Sequence, residues 1–358
     1  MPKNKAVEEW KEKKFGRVTT EEDLERRTSE VWPYEVYDPG RPVESSEVEE
    51  LRKGIIDIHA HGAPMGSFLQ GRPSMLQTCI EASEAGMRAI VFKDHNTMTC
   101  NVANIIQEAL ENIKKEKEKR EEIENSFTPV EAYGGTVLNS TVGGLNPKAV
   151  EAALGYKECK TIWLPSLDSW HQNLARGAEG GIIITENDHE KLKPEMEEIL
   201  EILADYNKEA EDRCPLGACH ISNEEKFALL DYVEEVGLDV DIIIDHVTQE
   251  LTVATPEEAK EMIDKGAYLQ FAKTSTLPWN AMKDWVILYE YTINLIKELI
   301  DEKGPEQLNL VTDAGQPTHK PVEAGWHFLR ALLSEEISKK DINIMAKEVP
   351  AKLLGLET

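Results

Sequence analysis

The stretch Asp57-Ile58-His59-Ala60-His61 is the part of this chain best equipped to do chemistry. Alternate residues of a β-strand share a face, so a strand here sets Asp57, His59 and His61 side by side. Two imidazoles together at a strand end can reach one metal ion, and a nearby carboxylate can orient a ring. The triplet alone also fits a polar strand end carrying two unconnected histidines. Further ligand-capable residues recur along the chain, each closing a short apolar run: Lys93-Asp94-His95, His220, Asp245-His246 and Asp313. Five of the nine histidines occupy such places, which scattered placement does not readily give; His171, His189, His319 and His327 lie elsewhere.

Residues so far apart need a scaffold that gathers strand ends at one rim. From Gly54 onward strand-like and helix-like segments alternate. The strands expected are 54–59, 88–93, 129–139, 161–165, 215–220, 240–246, 267–272 and 308–313. Helical spacing is read over 74–86, 101–125, 147–154, 189–207, 223–237, 256–266, 279–303 and 321–334. Eight strand–helix units predict an α/β fold, a (β/α)8 TIM barrel, whose active site lies at the C-terminal strand ends. The rival is an open doubly wound sheet, which usually carries a glycine-rich phosphate turn after its first strand. Here that turn reads HAHGAP. Residues 166–188, with Gly177, Gly180 and Gly181, are long for a connection and suit a cover over the site. Residues 1–52 are charged and broken by Pro33, Pro39 and Pro42, and read as an N-terminal arm of short helices and irregular chain. The barrel domain is then 53–358.

With 67 acidic against 40 basic residues the net charge is −27, which argues against nucleic acid or anionic membrane as partner. No apolar run is long enough to span a bilayer, and the first residues lack the apolar core of a secretory signal. Five cysteines without a CxxC pair form no disulfide framework, so a cytoplasmic setting is expected. The long arm and acidic surface make a homo-oligomer the expected assembly.

At this point the chain resembles the amidohydrolase superfamily of metal-dependent hydrolases, especially its phosphotriesterase-like members. The likeness rests on His59-x-His61, His220, His246, Thr312-Asp313 and the closing run DINIMAKEVPAKLLGL, and covers roughly residues 54–356. GMRAIVFKDH, LNSTVGGLNP and VTDAGQP are similar to an uncharacterised amidohydrolase-like subgroup, which brings no substrate with it. The resemblance implies a divalent metal held by His59, His61, His220, His246 and Asp313. One departure stands out. Binuclear members often draw a bridging carboxylated lysine or glutamate from strand four, and TIWLP supplies neither. Lys93 is the strand-end lysine placed to substitute, either as a carboxylated bridge or by binding a substrate anion; without a bridge the site holds one ion. A second likeness is local. DIHAHGAP with GMRAIVFKDHNT is similar to the polymerase-and-histidinol-phosphatase phosphoesterases, in which the counterpart of His95 binds metal. Against it, strand three ends at Asn139 rather than a glutamate, and Asp313-Ala314-Gly315 replaces an Asp-x-His.

The donor types suit zinc first, as one or two ions, with manganese, iron or nickel as alternatives. Such an ion lowers the pKa of bound water toward about 7 and polarises the scissile group. Asp313 is the candidate proton acceptor, although an Asp before a helix is also an ordinary cap. His246 is read as a ligand or a donor to the substrate oxyanion, and His95 as a ligand, a substrate donor or a support. Candidate substrate contacts are Asn139, Lys273 and His171, with Trp170 and Trp279 able to wall a ring or to pack. The expected activity is hydrolysis of an amide, cyclic amide or lactone-like ester of a small molecule. A metal-dependent phosphoesterase and a non-catalytic ligand-binding barrel are the alternatives.

Overall fold

The computed structural model describes residues 41–65, 71–119, 127–186, 191–209, 213–277, 287–317 and 319–357. Most of the expected arm, residues 1–40, lies outside them, as does Trp279. The chain enters through α1 (Ser45–Arg52) and then alternates strand and helix. The strands are β1 (Ile56–Ala60), β2 (Ala89–Phe92), β3 (Glu131–Val137), β4 (Cys159–Trp163), β5 (Leu216–Gly217), β6 (Ile242–Ile244), β7 (Tyr268–Ala272) and β8 (Leu308–Val311). Between them run α2 (Met75–Glu84), α3 (Cys100–Lys119), α4 (Pro147–Leu154), α5 (Trp170–Ala175), α6 (Pro194–Glu209), α7 (Asn223–Val236), α8 (Pro256–Asp264), α9 (Lys273–Thr276) and α10 (Tyr289–Lys303). After β8 come α11 (Pro321–Ser334), α12 (Lys339–Asn343), a π-helical turn (Ile344–Glu348) and α13 (Val349–Leu353).

All seven successive strand pairs are parallel and in sequence order. The eighth seam closes the barrel: the N–H of Asp313 donates to the carbonyl of His59 at 2.8 Å, and that of His61 to Ala314 at 2.6 Å. This is the expected (β/α)8 barrel. Helix starts follow local chemistry. Ser222 and Thr255 form capping boxes with Glu225 and Glu258, and Pro256 stands in the first turn of α8, where no backbone donor is needed. Helix α6 starts later than periodicity implied, at Pro194, because 185 and 192 pair across an antiparallel bridge first. Of the helix expected over 279–303, residues 279–286 lie outside the described residues, and α10 covers Tyr289–Lys303.

Two apolar layers hold the barrel. The larger lies between sheet and helices and includes Phe92, Leu110, Leu164, Ile199, Leu269 and Phe271. The smaller fills the barrel with Ile56, Val91, Trp163, Ile243 and Val311, and includes Val349, Leu353 and Leu354 of the C-terminal segment. That segment plugs the N-terminal end of the barrel. Lys160, near the start of β4, donates to the carbonyl of Leu354 at 2.9 Å, and Asn309, near the start of β8, donates to that of Met345 at 3.3 Å.

One local irregularity shapes the other end. Asp57 pairs with Ile90 and Ala60 with Phe92, so β1 carries one extra residue between them, a β-bulge. The bulge breaks the simple alternation expected for Asp57, His59 and His61. Asp57 lands at the β1–β8 seam, accepting from the Thr312 hydroxyl, the Thr312 N–H and the His59 N–H, and orients no imidazole. Burial pushes its pKa up to about 6.

Candidate metal centre

Five imidazoles from four strand ends stand in a closed ring at the C-terminal mouth. Successive centroids are 5.5 Å apart from His59 to His61, 5.1 Å to His95, 6.5 Å to His220, 5.0 Å to His246 and 5.5 Å back to His59. All except His95 are buried, and His95 is partly covered. Asp313 reaches this ring from β8, its Oδ1 lying 3.4 Å from His59 Nε2 and 3.0 Å from His61 Nε2. Potential donor atoms of His59, His246 and Asp313 all fall within 4.8 Å of one another.

Hydrogen bonds on the far side of each ring decide which nitrogen is offered. His59 Nδ1 donates to Gln270 Oε1 at 2.7 Å, and His61 Nδ1 to the Lys93 carbonyl at 2.8 Å. Thr252 gives its hydroxyl proton to the His246 carbonyl at 3.0 Å, so its oxygen accepts from His246 Nδ1 at 3.3 Å. His59 and His246 therefore keep Nε2 as an unprotonated donor atom, the support that metal-binding histidines require, whereas His61 Nε2 hydrogen-bonds Asp313 Oδ1 at 3.0 Å. Thr274 anchors the other carboxylate oxygen of Asp313 at 2.8 Å. Burial drives His59, His95, His220 and His246 well below the usual imidazole range. Burial also opposes ionisation of Asp313, but the surrounding imidazoles outweigh it and hold its carboxyl well below the usual range.

His220 is held differently. The guanidinium of Arg176 donates to the amide oxygen of Gln172 at 2.9 and 3.0 Å, which turns the Gln172 amide N–H toward His220 Nδ1 at 2.6 Å. A neutral His220 accepting there carries its proton on Nε2 and presents an N–H. The expected cover loop supplies this relay: α5 is capped by Ser169, whose hydroxyl also donates to the His220 carbonyl at 2.9 Å. His95 Nδ1 shares a hydrogen bond with Ser166 Oγ at 2.8 Å, and Asn139 donates to Ser166 Oγ and to the His95 carbonyl, both at 2.8 Å.

Where a bridging group would come from strand four, the chain places Trp163. Its ring fits because both neighbouring strands have glycine beside it: a Cβ at Gly135 would stand 2.9 Å from the indole and one at Gly217 2.4 Å. Lys93 points over this indole at 5.5 Å, donates to Cys219 Sγ at 3.0 Å and lies 3.8 Å from Asp245 Oδ1. Burial disfavours its charge, but Cys219 and Asp245 prevail and raise its pKa. Asp245 also stands 3.4 Å from His59 Nδ1 and accepts from the Cys219 N–H at 2.8 Å.

Backbone strain is concentrated here. Cys219, His246 and Asp313 have φ of 54°, 33° and 49°, a region that side chains other than glycine rarely adopt. Gly315, with φ of 107°, packs on the His61 carbonyl so closely that a Cβ would lie 1.7 Å from its oxygen. Of the expected substrate contacts, Lys273 donates to His319 Nε2 at 2.7 Å near the mouth. His171 turns its Nε2 to the Leu251 carbonyl at 2.8 Å, and Asn139 serves Ser166 and His95. Sequence reasoning missed Gln270, Thr274, Gln172 and Arg176; being an inward strand position, Gln270 could have been found from a polar residue inside the apolar run YLQFA.

Comparison with solved structures returns barrels of the same fold at low identity. The organophosphorus hydrolase from Deinococcus radiodurans aligns with a TM-score of 0.54 and 14% identity, over 87% of this chain and 94% of that one. A weak promiscuous lactonase template engineered for organophosphate hydrolysis gives 0.54 and 14%, over 87% and 97%. The β-aspartyl dipeptidase from Fervidobacterium islandicum gives 0.51 and 16%, over 86% and 75%. No curated protein matches. One family model covers residues 54–270, more than half of the chain, and on that match the protein belongs to the family of unknown function DUF6282.

Proposed function

We propose that this protein is a metal-dependent hydrolase of the amidohydrolase superfamily, cleaving an amide, cyclic amide or lactone-like ester. The observation that carries this reading is the convergence of His59, His246 and Asp313 donor atoms within 4.8 Å, with His61 Nε2 3.0 Å from the same carboxylate. Three imidazoles and one carboxylate match the donor types and number of a zinc site, and manganese, iron or nickel would accept the same groups. A divalent ion bound there would acidify water and polarise a carbonyl.

The remaining work falls to the chain's own groups. Asp313 is ionised and takes the proton of the attacking water, then passes it to the leaving nitrogen or oxygen. His220, fixed by Gln172 and Arg176, donates its Nε2–H to the carbonyl oxygen as negative charge builds there. His95, backed by Ser166 and Asn139, lines the mouth beside it and orients the substrate. The fold-level neighbours support hydrolysis by name, since they include an organophosphorus hydrolase, a lactonase and a dipeptidase.

The test is turnover of a panel of amides, cyclic amides and lactones by zinc- or manganese-loaded protein, with phosphate release measured alongside. Activity that vanishes together with bound metal in His59→Ala is the expected result. A His59→Ala protein that stays fully metallated and fully active would refute the assignment, and phosphate release without carbonyl hydrolysis would favour a phosphoesterase.

A further inference from the structure

Arg72 follows the loop that leaves β1, and nothing in the catalytic account uses it. Two of its guanidinium nitrogens, Nε and Nη1, are buried and make no hydrogen bond. The carboxylates whose fields reach it are Asp313 and Asp94. Neither forms an ion pair with it among the described residues, and Asp94 is engaged by the Asn96 N–H at 2.8 Å and the Thr97 hydroxyl at 3.1 Å. Arg72 as a whole is only partly buried, but guanidinium nitrogens kept from both water and protein acceptors are costly, and a guanidinium cannot shed its charge to escape. This one belongs to a chain with 27 more acidic than basic residues, so carboxylate partners are not scarce.

The backbone ties Arg72 to the metal centre. Next to it, Pro73 accepts from the Ala63 N–H at 2.7 Å, two residues beyond His61. Across the same seam Gly315 packs on the His61 carbonyl, and its own N–H donates to the His319 carbonyl at 2.8 Å. His319 in turn receives the bond from Lys273. Two basic elements, Arg72 and the Lys273–His319 pair, thus flank the β1–β8 seam where His61 meets Asp313. Of the five imidazoles, His220 is the one that neighbours neither His59 nor His61 in the ring.

We infer that this sector is a recognition site for a carboxylate on the substrate itself, so that the molecule hydrolysed is an anion whose scissile carbonyl lies a short chain away from its charge. The inference rests on the hydrolase reading for the word substrate, and on Arg72 for the charge. Arginine is the side chain best matched to a carboxylate, with several donors in one plane. One fixed positive charge, plus a lysine sharing its proton with a histidine, matches a singly charged group better than a phosphate dianion.

The test uses metal-loaded full-length protein and three probes on one carbon chain: glutarate, glutaramate and glutaramide, with inorganic phosphate in parallel. Calorimetry should show both carboxylates binding at least about tenfold more tightly than the diamide, a difference of about 1.4 kcal/mol. Arg72→Gln should erase that preference, Lys273→Met should reduce it, and Arg72→Lys should restore part of it, all with unchanged metal content and unchanged diamide affinity. Carboxylate affinity that survives Arg72→Gln, or diamide binding as tight as glutarate, would overturn the inference, and so would a preference for phosphate. Carboxylate binding that depends on Arg72 in a protein that hydrolyses nothing would support the recognition site and defeat the catalytic reading, so the two failures are separable.

Discussion

The two ends of this barrel are built on opposite principles. At the N-terminal end Val349, Leu353 and Leu354 press on the apolar interior, and Lys160 satisfies a backbone carbonyl there. At the C-terminal end five imidazoles converge, three residues hold left-handed backbone, and Asp245 Oδ1 and two Arg72 nitrogens lie buried without a hydrogen bond. One end gains stability from ordinary packing. The other concentrates strain and neutral, closely spaced donors, features that cost stability and make sense when a ligand joins them. Strain at a site and packing away from it divide the labour between making a fold and using it.

Substitutions at the two ends should therefore have opposite signatures. The largest effect is expected at Asp313. Asn tolerates the same backbone, so Asp313→Asn should keep the fold while abolishing turnover and bound metal, measured by assay and elemental analysis. At the plug, Leu353→Ala should cost about 2–5 kcal/mol in denaturant unfolding, with metal stoichiometry intact. Loss of metal in Leu353→Ala at a temperature where it is folded would blur the division between the ends.

Support behind the ligands offers a finer test. Gln270→Leu removes the acceptor for His59 Nδ1 and should weaken metal affinity about 10–100-fold without moving the midpoint of metal-free unfolding by much. A comparable pair exists for strain. Glu336 has φ of 64° away from the site, and Glu336→Gly should stabilise by about 1 kcal/mol with full activity. His246→Gly relieves the same kind of strain but should lose metal.

The last effect expected is a pH dependence. Burial lowers the Lys273 pKa to about 7. Below that value the folded protein bears the full cost of a buried charge. Between about 7 and the ordinary lysine value of about 10.4, the unfolded chain binds the extra proton, so stability rises with pH by up to about 1.4 kcal/mol per unit. Lys273→Met should be more stable than the parent at pH 6, and the gap should shrink toward pH 10. A gap that is constant with pH would show that Lys273 titrates normally.

The barrel was legible because its signals are local: apolar runs, helical spacing and strand-end histidines each lie within a few residues. The His59-x-His61 spacing is equally local, and both rings stand in the five-imidazole cluster. What stayed hidden is long-range or steric. The acceptor for His59 is 211 residues away at Gln270, and no pattern near either residue announces the bond. The β1 bulge is one extra residue in a pairing with β2, and it moved Asp57 off the face that period-two alternation assigns it. Trp163 in place of a bridging ligand depends on glycines in two other strands. The tautomer of His220 follows from Arg176 through Gln172, a chain of contacts rather than of sequence.

The most direct test of the central claim is an anomalous difference map of crystals of the metal-loaded protein, collected across the zinc or manganese edge. The account predicts a strong peak about 2.0–2.2 Å from His59 Nε2, His246 Nε2 and a carboxylate oxygen of Asp313, with His61 completing the shell. A map with no peak inside the imidazole ring, or with its peak bound elsewhere on the protein, would contradict it.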